Sequence, residues 1–414
     1  MARLRGHSGL TDRGLERGAS APSGAAIGQM WFNTGTGVLY QRTANVDGSS
    51  FWLDISSGGI GTSVSEGVDF VGDIDPHKAT NGTGLAIGSV YYNRENNRHF
   101  VCTDATTNAN VWSGRYSGLG GTVTDYLLSS TYYKVHSFLS SGSFFVQAAI
   151  TCDILIVGGG GGGGAYSGGG GGAGGVRQLT GQSLSYGTYT VTVGDGGFGT
   201  EVDTNALDPR LFGNGQGIIT QGGDSSVIGG SYSEIGSGGG WGGSFNAWSN
   251  ATDWRGSAGG SGGGGGPCDA SATYAGFAGD TPNKTPDQGF GGGSGQHSSG
   301  SFVHAGGGGG AGGAGGNGSN GTGGNAGIGI TNTIRDGVSG TTVAVHRFGG
   351  GGAGDGNAGN GTSQAAYGGG AAGAGIGGAG VANSGGGGGG GHYANGFHGG
   401  RGGSGIVVIR YPLN

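Results

Sequence analysis

The run Ile154-Leu155-Ile156-Val157 leads straight into seven consecutive glycines, Gly158 to Gly164, and nothing else in the chain restricts its fold as much. Four apolar, mostly β-branched residues predict a buried strand. The glycines that follow have no side chains from which to build a core. The pattern recurs at Gly168–Gly172, Gly262–Gly266, Gly306–Gly310 and Gly385–Gly391, until Ile406-Val407-Val408-Ile409 supplies a closing strand. Two aliphatic strands therefore bracket a glycine-rich span.

Glycine accounts for 117 of the 414 residues, and Leu, Ile, Val and Phe together for about 18%. Each ordered glycine costs roughly 0.5–1 kcal/mol relative to alanine, so a conventional core is not available to offset the ordering. One outcome is a disordered low-complexity tail. The other is packing of extended threefold helices, about 3.1 Å per residue, whose unpaired N–H and C=O groups bond to neighbouring helices. A net charge of only −6, seven prolines and aromatic residues spread through the region favour the ordered outcome. Collagen is excluded, because the glycine runs are uninterrupted and proline is sparse.

Three cysteines are too few for a disulfide framework or a zinc site. The first residues lack the apolar segment of a secretory signal, and no stretch reaches the 18 apolar residues of a membrane span. Basic residues number 18 against 24 acidic ones, with no basic cluster beyond Arg3, Arg5, Arg13 and Arg17, so a nucleic-acid partner is not expected.

Residues 1–20 read as an irregular polar arm. After them, Ala26-Ile27-Gly28-Gln29-Met30-Trp31-Phe32-Asn33 aligns with Ala86-Ile87-Gly88-Ser89-Val90-Tyr91-Tyr92-Asn93, and the same offset pairs Tyr40 with Phe100 and Trp52 with Trp112. This predicts two copies of one small β meander, residues 21–60 and 61–121, each an aromatic hairpin plus a tryptophan strand. One such meander buries little on its own, so association around a symmetry axis is expected. Within residues 122–414, Tyr132–His136, Ser143–Val146 and Tyr189–Val193 are further strand candidates. The expected fold is mainly β and irregular: meander repeats, then a β layer bearing packed polyglycine II-type helices, with almost no α-helix.

Tyr133-Lys134-Val135-His136-Ser137-Phe138, Ser141-Gly142-Ser143-Phe144, the Ile154–Val157 strand with its glycine run, Tyr189-Thr190-Val191-Thr192-Val193-Gly194, and Gly402-Gly403-Ser404-Gly405 with the closing strand together resemble the glycine-rich domain of bacteriophage tail-fibre and other virion surface proteins. The two N-terminal repeats resemble short β modules of phage fibres. The glycine runs are more loosely similar to distal adhesins whose stacked glycine helices display receptor-binding loops. The resemblance implies a tail-located virion protein, assembled in the host cytoplasm. It would be a homotrimer, attached through its N-terminal part to other tail or baseplate proteins, and it would bind a host surface polysaccharide or outer-membrane protein. A capsid decoration or fibre shaft that binds no receptor is the alternative.

Binding residues are expected in loops between glycine runs. Trp241, Phe245, Trp248 and Trp254 are interleaved with Asn246, Asn250, Asp253 and Arg255, the mixture that stacks on sugar rings and fixes their hydroxyls. The same residues could instead plug gaps beside the glycine helices. Tyr274, Phe277, His297, His304, His392, Tyr393 and Phe397 complete the candidate set. Neither a metal nor a cofactor is expected: the histidines lack ligand spacing, and the glycine run after Val157 does not open a helix as a dinucleotide fold requires. No catalytic set of carboxylates or of Ser, His and Asp stands out, so the chain is read as non-enzymatic.

Overall fold

The computed structural model of the chain describes residues 15–18, 20–21, 23, 30–34, 39–44, 50–54, 68–95, 98–114, 117–199, 219–244, 256–267, 273–298, 302–373, 375–392 and 398–413. They form two units that divide between Tyr116 and Ser117.

In the first unit, β1 (Leu15–Gly18), β2 (Met30–Asn33), β3 (Leu39–Ala44) and β4 (Ser50–Asp54) make one four-stranded sheet in chain order. Strands β5 (Phe70–Gly72), β6 (Val90–Asn93), β7 (Arg98–Asp104) and β8 (Val111–Gly114) make a second. The pairing recurs between the copies: Trp31 lies opposite Tyr40 and Tyr91 opposite Phe100, and Arg42 lies opposite Trp52 and Cys102 opposite Trp112. Each sheet also has a leading strand that the meander reading lacks, since β1 and β5 run parallel to β2 and β6. Strand β1 falls in the stretch expected to be an irregular arm. Leu15-Glu16-Arg17-Gly18 shows no apolar alternation, so only its pairing marks it as a strand. In the second copy Val90, Tyr91, Phe100, Cys102 and Trp112 are buried, with Tyr91 edge-on to Trp112 at 5.6 Å.

The second unit holds β9 (Gly118–Leu119), β10 (Thr122–Leu128), β11 (Thr131–Phe138), β12 (Gly142–Val146), β13 (Ile150–Val157), β14 (Val176–Leu184), β15 (Gly187–Thr192), β16 (Ser225–Gly229) and β17 (Tyr232–Gly236). The short strands β18 (Thr273–Tyr274), β19 (Gly295–Ser298), β20 (Phe302–His304), β21 (Ile330–Thr331) and β22 (Arg347–Phe348) follow, and β23 (Ile406–Pro412) closes the unit. Two five-stranded sheets, ordered β10-β11-β23-β13-β14 and β17-β16-β15-β12-β9, face each other. The two bracketing strands are direct neighbours, with Leu155 opposite Val408 and Val157 opposite Ile406.

Both faces of the first sheet are covered. One carries Ile154, Ile156, Ile409 and His136 toward Phe144 of the second sheet. The other packs Val135, Leu155, Val157, Ile406 and Val408 against Tyr126, Ala311, Ile334 and Phe348. Burial on both faces explains why these strands read as unbroken apolar runs instead of alternating.

Past the strand ends the glycine runs form a threefold lattice. From Gly158 to Gly163 successive N–H groups donate to three different neighbours in rotation. Gly158 and Gly161 reach Gly175 and Gly172, Gly159 and Gly162 reach Gly223 and Thr220, and Gly160 and Gly163 reach Gly403 and Gly400, at 2.8–3.2 Å. A period of three is the signature of polyglycine II-type helices. The run from Gly168 to Gly175 has six neighbours. It donates to residues 385–391, 237–243 and 306–309 and accepts from residues 158–164, 261–264 and 352–355. Each of its eight N–H groups is bonded, at 2.7–3.1 Å, so backbone pairing replaces side-chain packing as the source of order.

Side chains enter this lattice by a simple rule. Along the exposed helices side chains recur three apart on the outward face: Asp195 and Phe198, Ala314, Asn317 and Asn320, Thr322, Asn325 and Ile328, Ile376, Ala379 and Ala382 are all exposed. Where a neighbouring carbonyl is missing, a polar side chain supplies the acceptor. Thr362 N–H donates to Asn325 Oδ1 at 2.8 Å, Ser294 N–H to Asn317 Oδ1 at 2.8 Å, and Ser237 N–H to Gln288 Oε1 at 2.9 Å.

Candidate functional site

The helices run back and forth between the sandwich and one far end. Gly158, at the end of β13, bonds Gly175, at the start of β14, whereas Gly164 bonds Gly169 across the far turn. Around that turn, Gly168 donates to Gly391, Gly169 to Gly243 and Asp355 to Gly168, while Gly264 donates to Gly170 and Gly306 to Gly265. The described flanks of the loops carrying most of the candidate residues therefore converge at this far end. The turn itself, Ala165-Tyr166-Ser167, needs two left-handed non-glycine residues, Tyr166 and Ser167, both with φ of 53°.

Phe245, Trp248, Trp254, Tyr393 and Phe397 lie outside the described residues. Their nearest described neighbours, Ser244 and Gly256 for the first three, His392 and His398 for the last two, are part of the far end and its margin. Trp241 is half-buried and tied to Ser257 on both sides. Its N–H donates to Ser257 Oγ at 3.1 Å, and its carbonyl accepts from Ser257 N–H at 3.0 Å. Its indole Nε1 has no acceptor among the described residues. The Phe277 ring lies against Gly256, where a Cβ would come within 2.9 Å of it, so Trp241 and Phe277 flank the same backbone. Tyr274 pairs with Gly295, and His297 with Val303, in the small three-stranded sheet of β18, β19 and β20.

His304 requires correction. It is 2% exposed, and its Nδ1 accepts from Gly321 N–H at 3.1 Å. Burial first, and the nearby His297 second, push its pKa down, and its position inside the unit fits a structural role instead of a loop-tip contact. His392 is held by a partner that the sequence does not indicate: its Nδ1 lies 3.1 Å from the carboxylate of Asp355, whose side chain is fully buried. Asp355 sits in a glycine run without any pattern that marks it as buried. Phe198, 46% exposed, carries Arg401 over its ring at 4.1 Å on the flank of the lattice. Among the described residues no three of His, Cys, Asp and Glu converge as metal ligands.

Two buried groups titrate in opposite senses. Burial pushes Asp355 up to about 6, with His392 opposing the shift, and pushes His136 down to about 4. His136 is stacked on Tyr411 and donates from Nδ1 to Gly120 C=O at 2.7 Å. A lowered histidine contributes stability that is complete above its unfolded value near 6.5 and is lost as pH falls through 4, by about 3 kcal/mol in all. A raised carboxylate does the reverse, removing a comparable amount as pH rises from about 4 to 6. The two slopes offset each other between about pH 4 and 6. Relative to the native chain, melting temperature should therefore fall on acidification through this range in Asp355→Asn and rise on acidification in His136→Gln.

The family model for a glycine-rich domain matches residues 139–412. No curated protein matches the chain.

Proposed function

Since this chain belongs to the glycine-rich domain family over residues 139–412, we propose that its glycine bundle is a rigid, non-enzymatic carrier of binding loops. On this reading the whole protein is a bacteriophage virion fibre or adhesin that attaches to the host-cell surface. The observation that supports it is the convergence of the described flanks of the inter-run loops at the end of the bundle away from the sandwich. Recognition concentrates on loops borne by a rigid scaffold. A lattice held by backbone bonds lets those loops vary without disturbing a side-chain core. The phage context rests on the resemblance of the bracketing strands and of the N-terminal repeats. Those repeats are the part proposed to attach to the particle and to trimerise.

Electron microscopy of intact particles labelled with antibody against residues 117–414 tests the placement. Label at tail tips supports an adhesin; label over the head supports a decoration protein. Adsorption tests the site. Trp248→Ala and Trp254→Ala should each weaken attachment by about 2 kcal/mol, the scale of a buried aromatic anchor, with an unchanged melting temperature. Wild-type adsorption together with a lower melting temperature would make both of them packing residues.

A further inference from the structure

Each of the two facing five-stranded sheets has two edge strands, and three of these four are blunted. Strand β9 is two residues long and runs into two left-handed glycines, Gly120 and Gly121. Strand β17 is short and carries Glu234. Strand β14 is interrupted by a register shift opposite Cys152 and Ile154, with Gly181 at φ of 63°. Short length, charge and bulges are the devices that keep a sheet edge from recruiting another strand. Strand β10 has none of them. It runs seven residues in unbroken register with β11 and contains no Lys, Arg, Pro or Gly. Its one charge, Asp125, is turned onto Lys134 at 3.3 Å, with both side chains more than nine-tenths buried. An inward charge can protect an edge by opposing its burial, but this one is already buried and paired. The two-residue turn Ser129-Ser130 closes the β10–β11 hairpin on the pair Leu128 and Thr131. Such a closing pair is hydrogen-bonded, so the even-numbered residues of β10 turn their backbone groups to β11 and Val123, Asp125 and Leu127 turn theirs outward. Among the described residues no backbone group outside the sheet bonds Val123 or Leu127. Their side chains are 47% and 51% exposed, and Thr122 and Thr124 are exposed beside them.

We propose that β10 is an interface between two copies of this chain, pairing antiparallel with β10 of the second copy and joining their first sheets into one. The strand is self-complementary in one register. With Asp125 on the two-fold axis, Val123 lies opposite Leu127 of the second copy and Leu127 opposite its Val123, so apolar residues meet on both sides of the axis. The two aspartates approach each other there, and each brings its own Lys134. Slipping by one residue would set outward backbone groups against inward ones, and slipping by two would set Asp125 against Val123 or Leu127. A single strand pair buries less than the roughly 1,200 Å² of a standard interface, so the association is weak and needs concentrated protein. It does not depend on the loop-borne binding or on the N-terminal assembly proposed above: whatever number of chains the repeats assemble, pairing through β10 doubles it.

Sedimentation velocity on the full-length chain at about 100 µM, where micromolar associations are populated, tests the pairing. The native chain should sediment as an even multiple of its own mass. Val123→Lys and Leu127→Lys, which place a charge on the edge, should each halve that multiple. Val123→Pro, which removes an outward N–H and no bond to β11, should do the same. Ile376→Lys, at a site 65% exposed on the wall of the glycine lattice, should leave the multiple whole. Thermal melts confirm that each variant folds, and Val123→Pro decides the matter if a lysine variant does not. The mass that remains in the edge variants reads the N-terminal assembly separately, since three chains support the proposed trimer and another number counts against that reading alone. An odd multiple in the native chain, a lone chain included, or folded edge variants that keep the full multiple, overturns the pairing.

Discussion

Gly161→Val is expected to unfold the glycine bundle rather than perturb it locally. A Cβ at Gly161 would lie 2.2 Å from the Gly240 carbonyl oxygen and 2.7 Å from that of Gly239. Both are backbone atoms bound into the lattice, with no rotamer through which to yield. Ordinary overpacking costs about 1–3 kcal/mol because side chains shift, and here they cannot, so a loss on the order of 5 kcal/mol follows. Chemical denaturation measures the loss, and hydrogen exchange locates it: amides of Gly168–Gly175, protected in the native chain, should exchange freely. Gly359→Ala is the control. Its Cβ would meet only the Thr322 side chain, at 3.7 Å, and the substitution should change stability by under about 1 kcal/mol. Equal behaviour of the two variants would mean that the glycines are not in a packed lattice.

Val408→Asp should be as damaging for the opposite reason. Val408 is fully buried in β23, opposite Ser137 on one side and Leu155 on the other. An aspartate there would leave an uncompensated carboxylate in an apolar cluster, at a cost of about 4–5 kcal/mol or more. Because β23 lies between β11 and β13, its loss would also split the first sheet. The expected result is no folded protein in the soluble fraction. A folded variant with near-native melting would show that the closing strand is dispensable.

How much of this was legible beforehand follows from where side chains exist to be read. The bracketing strands were visible because both of their faces are buried, which makes Ile154–Val157 and Ile406–Ile409 unbroken apolar runs. The threefold helix was inferable from glycine chemistry. Its outward faces were also written in the chain, as Thr322, Asn325 and Ile328 spaced by three, a period that differs from helix and strand periods alike. Which run neighbours which was not legible, because one glycine is chemically like another and only the closed hydrogen-bond network selects partners. Strand β1 was missed since a parallel edge pairing needs no apolar pattern. His304 was misplaced because a histidine that accepts a bond from Gly321 and one that faces solvent look alike in sequence. The buried Asp355 that holds His392 belongs to the same blind spot.

Because the bracketing strands are adjacent, the first glycine run leaves β13 and the last returns to β23 within one strand spacing, with β14 to β17 rejoining the sandwich between them. The bundle is thus an excursion whose two ends are stapled together, and its size is decoupled from its anchor. Another out-and-back pair of glycine runs, added at the rim, would deliver one more loop to the far end without moving β13 or β23. Such a body can lengthen its repertoire in pairs, by accretion, where a conventional core would have to be repacked for every addition.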